Sequence, residues 1–239
     1  MLSELEKRQQ QVLADTKWHL FNRRTWLFRY IPFVEGVFGS GSLALGNVNP
    51  NSDFDVLILA RTNRIFSARF FAAFAFSLFG WRRKRLDHRV SAADKVCLNH
   101  FVTKPAYRLT LPPNAYWRAL YQKLVPIYGS EKIINEFFAA NSDWLGDVQY
   151  RADIRHTYGA PSRCKVFIES ILSGFLGSWL EWGLKRFQVR RIVRGLPSDG
   201  SASPARTISY QAAARETHHL PPLIRYSDTE LEFHPDPAT

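Results

Sequence analysis

Residues 39–60 read GSGSLALGNVNPNSDFDVLILA, a small-residue turn and an acidic pair that leads into an apolar run. The stretch opens with Gly39-Ser40-Gly41-Ser42, directly after an apolar run that includes Val34, Val37 and Phe38. Glycine at the end of a strand lets the backbone turn sharply and approach a ligand closely. The stretch closes with Asp53-Phe54-Asp55 running into Val56-Leu57-Ile58-Leu59, a good strand by composition. Alternate side chains of a strand share a face, so Asp53 and Asp55 point one way while Phe54 and Val56 point into a core. Two carboxylates side by side repel, and a divalent cation is the usual reason to keep them together. Oxygen-only ligands favour Mg2+ or Mn2+. Between the halves, Asn49-Pro50-Asn51-Ser52 is turn chemistry. The order is strand, phosphate-binding turn, short helix, turn, metal-binding strand. Free N–H groups at a helix start attract phosphate, the Ser42 hydroxyl adds a donor, and Ser40 belongs to the same turn.

Gly41-Ser42, ten intervening residues and Asp53-Phe54-Asp55 together resemble the signature of the polymerase-beta-like nucleotidyltransferase superfamily. The match is closest to the minimal nucleotidyltransferases, which carry a similar small helix and a Pro-x-Ser turn, here Pro50-Asn51-Ser52. It covers residues 34–60. The resemblance implies an α+β fold, with a mixed β-sheet nucleotidyltransferase domain flanked by helices and a helical C-terminal region. It implies transfer of a nucleoside monophosphate from an NTP to an acceptor hydroxyl of a small molecule, protein or RNA, with release of pyrophosphate. On the matching positions, Asp53 and Asp55 are the catalytic pair that holds Mg2+ or Mn2+, and Gly41 and Ser42 hold the leaving phosphates. The superfamily usually adds a third carboxylate on the strand after the next helix. Here that strand, KVCLNHFVT over 95–103, offers Asn99 as the third metal position, with Asp87 and Asp94 just before it. Asn brings an oxygen but no charge. That departure supports a second reading, a catalytically silent nucleotide- or RNA-binding module.

At 239 residues with 46% hydrophobic content, the chain can bury a sizeable core. Its net charge of +11 is uneven: residues 1–111 hold 17 Lys/Arg against 8 Asp/Glu, including the run Trp81-Arg82-Arg83-Lys84-Arg85. Triphosphate, RNA, an anionic lipid surface or a plain solvated surface all accommodate this excess. The two cysteines, Cys97 and Cys164, are far apart, and the C-x-x-H of Cys97 and His100 has no second pair to complete a zinc site. A reduced, cytoplasmic protein is the default expectation. The polar N-terminus lacks the apolar core of a signal peptide. Arg69 interrupts one apolar stretch and Glu169 and Glu181 another, so no transmembrane segment is expected.

Residues 2–30 and 65–80 read as helices, and 107–111 as a further strand. Residues 114–195 read as helical, with Pro126 closing a helix. Within them a single helix over 162–194 carries an apolar stripe from Phe167 to Phe187, the pattern of a core or domain interface, with a membrane-surface or RNA-tracking helix as the alternative. The expected organisation is a nucleotidyltransferase domain with its N-terminal helix (1–111), a helical substrate or partner domain (112–195), and a linker with an extended C-terminal segment (196–239).

Overall fold

The computed structural model describes residues 3–83, 92–109, 115–145, 155, 160–195 and 223–234. Helix α1 (Glu4–Thr25) starts at Ser3, whose hydroxyl accepts the Glu6 amide while the Glu6 carboxylate accepts the Ser3 amide. This reciprocal cap satisfies two amides at the helix start. A 3-10 turn (Trp26–Tyr30) leads into strand β1 (Val34–Gly39), the short helix α2 (Gly41–Leu45) and strand β2 (Phe54–Ala60). Helix α3 (Ile65–Leu78) and strand β3 (Val96–Thr103) follow. Then come α4 (Ala115–Gln122), strand β4 (Val125–Gly129), α5 (Glu131–Ala139) and α6 (Ser142–Leu145). Helices α7 (Arg163–Ile171) and α8 (Phe175–Gly195) precede a hairpin of β5 (Leu223–Tyr226) and β6 (Glu230–His234).

The protein is α+β. Its six strands form one mixed sheet in the order β4-β1-β2-β3-β6-β5. Strand β2 runs antiparallel to β1 and parallel to β3, and β6 runs antiparallel to β3. Alternation along β2 divides its side chains between two cores. Phe54, Val56 and Ile58 pack with Phe21, Phe28 and Phe66 under α1, the 3-10 turn and α3. Leu57 and Leu59 pack with Phe38, Val102 and Phe137 under α4, α5 and α6. Gly39, at the end of β1, lies under Trp18 of α1, where an added Cβ would sit 3.1 Å from the indole.

Four expectations change. Residues 114–195 are not wholly helical, because 125–129 form an edge strand on β1. Pro126 sits in that strand opposite Phe38, and an edge strand is where a residue without an N–H is tolerated. The expected helix over 162–194 is two helices, broken at 172–174. Gly177 lies so close to the Leu172 backbone at this elbow that no Cβ would fit. Strand β3 ends at Thr103 in a short 3-10 turn (Lys104–Ala106), and residues 107–109 are not a strand. Finally, 223–234 is not merely extended but completes the sheet beside β3, so strands of one sheet come from all three segments delineated in sequence.

The region after β2 is tied down by acids from the C-terminal helices. The Arg64 side chain provides no cap for α3, and the Glu181 carboxylate of α8 does so instead, accepting the Phe66 and Ser67 amides at 2.9 and 2.8 Å. Glu169 of α7 accepts the Phe33 amide at 2.6 Å and pairs with Arg61 at 2.7 Å. Among the described residues, no helix is long and apolar enough to cross a membrane.

Candidate functional site

The two halves of the 39–60 stretch meet at one end of the β1–β2 pair. Gly39 pairs with Val56, and one residue on, the Ser40 amide donates to the Asp55 carbonyl at 2.9 Å. The backbone then turns through Gly41 at φ +66°, a left-handed conformation that costs any residue with a Cβ. Space imposes the same requirement. A Cβ on Gly41 would lie 3.0 Å from both Cβ and Cγ of Asp55 and would overlap its Oδ2 outright. The Gly-Ser turn is therefore seated directly on the acidic side chain. Ser40 precedes α2 without placing its hydroxyl in a cap hydrogen bond, and Ser42 sits in the first turn, half-buried.

Asp53 lies just ahead of β2 and Asp55 is its second residue, so the two carboxylates project to the same side. Asp53, Asp55 and Cys97 each present a ligand atom within 4.8 Å of the others. The parallel register sets Cys97 of β3 directly beside Asp55. Burial raises the Asp55 pKa from 3.8 to about 7, and the neighbouring Asp53 charge adds to the rise. Burial likewise pushes the Cys97 thiol well above its usual range, with both carboxylates contributing. Cys97 is thus held as a neutral thiol.

Among the described residues, the pair carries one fixed counter-charge. Arg83 donates to Asp53 Oδ2 at 2.7 Å, and both side chains are largely buried. Burial alone would lower the Arg83 pKa, but the Asp53 charge and hydrogen bond outweigh it and raise the pKa. Two carboxylates against one guanidinium leave the described cluster one positive charge short of balance when both are ionised. A hard divalent cation would draw the Asp55 pKa back down, so the residues present fit Mg2+ or Mn2+ on Asp53 and Asp55.

The expected third position, Asn99, lies on β3 beside the acidic pair. Asn99 does reach the cluster, with Nδ2 3.5 Å from Asp55 Oδ1, aided by a break in the β2–β3 register between Asp55 and Leu57. It meets Asp55 through its amide nitrogen, and Cys97 holds the place nearer the pair. Asp94 is committed elsewhere: its carboxylate pairs with Lys17 at 2.7 Å and its carbonyl accepts from Arg24. Asp87, Lys84 and Arg85 lie outside the described residues. Cys97 and His100, a C-x-x-H in sequence, part company. His100 stands beside Glu230 and Glu232 of β6, both of which also face Arg225 of β5. That cluster has its own cation and ties three strands together.

Arg83 and Cys97 are the two site residues that the sequence reading did not assign. Arg83 was visible only as one member of a basic run. Cys97 could have been found by pairing β2 with β3 in parallel, since the register that aligns Phe54 with Val96 sets Asp55 against Cys97. No protein-family model, curated protein or solved structure matches the chain.

Proposed function

We propose that the protein is a nucleotidyltransferase of the polymerase-beta-like kind, moving a nucleoside monophosphate from an NTP to an acceptor hydroxyl and releasing pyrophosphate. The observation that carries this reading is the seating of the Gly41 turn on the Asp55 carboxylate, with Asp53 alongside. A phosphate-binding turn and an acidic pair in van der Waals contact are what a metal–triphosphate complex requires of its host. Mg2+ or Mn2+ held by Asp53 and Asp55 would supply charge neutralisation at the triphosphate. The chain's own residues bind and orient. The N–H groups after Ser40 and the Ser42 hydroxyl take phosphate oxygens, Asp53 and Asp55 fix the polyphosphate relative to the acceptor, and Arg83 adds positive charge beside the pair. The acceptor is a small molecule, a protein side chain or an RNA end, and the basic excess of residues 1–111 favours an anionic one. The reduced thiols Cys97 and Cys164 suit a cytoplasmic setting.

One observation favours a second reading. Among the described residues, Cys97 and no third carboxylate joins Asp53 and Asp55, as in a module that binds nucleotide or RNA without turnover. Thermal unfolding with each NTP, with and without Mg2+ or Mn2+, on wild type and Asp53→Asn, separates the readings when combined with a pyrophosphate-release assay. A ligand at about 100 times its Kd stabilises by roughly 2.7 kcal/mol, several degrees in Tm for a chain of this size. A metal-dependent shift lost in Asp53→Asn, with pyrophosphate release, supports transfer. The same shift without release supports the silent module. No shift with any NTP rejects transfer and a nucleotide-binding module, and leaves the silent module only as an RNA binder, which a salt-dependent RNA-binding assay tests.

A further inference from the structure

The apolar stripe over residues 167–187 is exposed rather than buried. Phe167 and Trp179 are each 66% exposed and Phe175 is 83% exposed, with Ile171, Leu176 and Trp182 also open to solvent. These side chains gather at the elbow between α7 and α8 and along the first half of α8. The second half carries Arg186, Arg190, Arg191 and Arg194, all exposed, with the Arg186 guanidinium 4.5 Å from the Trp182 ring. Residues 163–195 contain only two acids, Glu169 and Glu181, and both turn inward to Phe33, Arg61 and the α3 amides. The side chains that the two helices turn outward are therefore aromatic, aliphatic and cationic, and the Asp228 carboxylate beside them is paired with Lys185 at 2.6 Å.

We propose that this face docks the protein onto an anionic lipid bilayer, an inference independent of the nucleotide reading. The α7–α8 elbow enters the headgroup boundary and the α8 arginines lie on lipid phosphates. Exposed Trp and Phe beside Arg is the chemistry of the membrane interface, where amphipathic rings and snorkelling guanidinium groups both find their medium. The inner side of α8 is already occupied, since Leu184 and Ile192 join the core and Gln188 donates to the Phe66 carbonyl. The helix thus presents its outer face on a rigid mount. A second copy of the chain fits poorly, because the one carboxylate described at this face, Asp228, is already paired with Lys185, and self-pairing sets arginine against arginine. Single-stranded RNA would use the arginines and the rings, but it has no use for Ile171, Leu176 and the exposed Val166.

The test is co-sedimentation of the full chain with phosphatidylcholine vesicles, with and without phosphatidylglycerol, for three proteins. These are wild type, an apolar variant (Phe175→Ala, Leu176→Ala, Trp179→Ala) and an arginine variant (Gln at 186, 190, 191 and 194). Wild type should bind only the anionic vesicles, and added salt should weaken it. At about fivefold per arginine, the arginine variant should lose on the order of a hundredfold or more in partitioning, and the apolar variant at least tenfold. Both variants should keep the wild-type Tm, because the replaced side chains are exposed. Absence of binding to anionic vesicles, or binding equal in all three proteins, overturns the proposal. So does self-association that the apolar variant abolishes while lipid is ignored, or RNA binding without lipid binding.

Discussion

Replacing Gly41 with alanine puts the contact between the phosphate-binding turn and the acidic pair under direct test. Two costs add. The backbone at φ +66° charges an L-residue about 1–2 kcal/mol. The new methyl then meets Asp55, whose Cβ and Cγ would be 3.0 Å away. Asp55 stands on a central strand between β1 and β3, so its Cβ cannot retreat, and the carboxyl must leave its rotamer at a further ~1 kcal/mol. The sum is about 2–3 kcal/mol, or roughly 4–12 °C in Tm for a chain of this length. Gly46→Ala is the matched control. Its φ is +77° but nothing lies within 4 Å of the added Cβ, so it bears the backbone cost alone. Urea and thermal unfolding of both variants give the difference, and the metal-dependent nucleotide shift gives the functional consequence. If Gly41→Ala is no less stable than Gly46→Ala and still shows a wild-type nucleotide shift, the turn and the acidic pair do not act together.

Two further predictions concern the supports of the site. Lys165 is buried, donating to the Val34 carbonyl and, at 3.1 Å, to the Tyr128 hydroxyl; burial lowers its pKa from 10.5 to about 8, with Glu169 opposing. Below pH 8 the lysine is charged folded and unfolded, and the folded state bears the whole cost of the buried charge. Between pH 8 and 10.5 the unfolded chain holds a proton that the folded chain has released, so stability rises with pH, by on the order of 3 kcal/mol across the window. Urea unfolding at pH 7, 8.5 and 9.5 should show the stability of wild type rising relative to Lys165→Met, a difference in which the opposing titration of the raised Cys97 thiol cancels; a relative stability that falls over this range refutes it. Measurement stops short of pH 10 because Tyr128, its pKa pushed up to about 12 chiefly by burial, imposes the opposite trend above it. Glu181→Ala removes the side-chain cap that the described residues place at the start of α3 and should cost about 2 kcal/mol. A loss under 0.5 kcal/mol by the same assay would mean that water replaces the carboxylate.

Local pattern made the first part of the chain legible. The alternation Phe54, Val56, Ile58 against Asp55, Leu57, Leu59 announces a strand with two different faces, and both faces are found where the pattern puts them. Glycines and Asn49-Pro50-Asn51-Ser52 mark the turns. The site was legible as far as it is local: Gly41, Asp53 and Asp55 converge. Arg83 and Cys97 escaped because their roles depend on which strand pairs with which, a non-local choice that no period in the sequence encodes. Strand β4 escaped for a different reason. Val125-Pro126-Ile127 is short, and a proline argues against a strand unless that strand is known to be an edge. The stripe on α7 and α8 misled because a helix's apolar face reports that it wants a partner without saying whether that partner is the chain's own core.

Strand β3 carries Cys97 and Asn99, yet on one side it is completed by β6, whose Leu231 pairs with Phe101 across some 130 residues of chain. At roughly 5–20 residues per second, a ribosome takes on the order of 6–26 s to travel that distance. Throughout that interval β3 has β2 on one flank and an open edge on the other, and Phe101 lacks Leu231 beside it. The nascent chain therefore has an acidic pair early and a finished sheet late. The strand that carries Cys97 thus keeps an exposed edge until the last segment of the sheet is made, and the unpaired stretch is His100 to Val102.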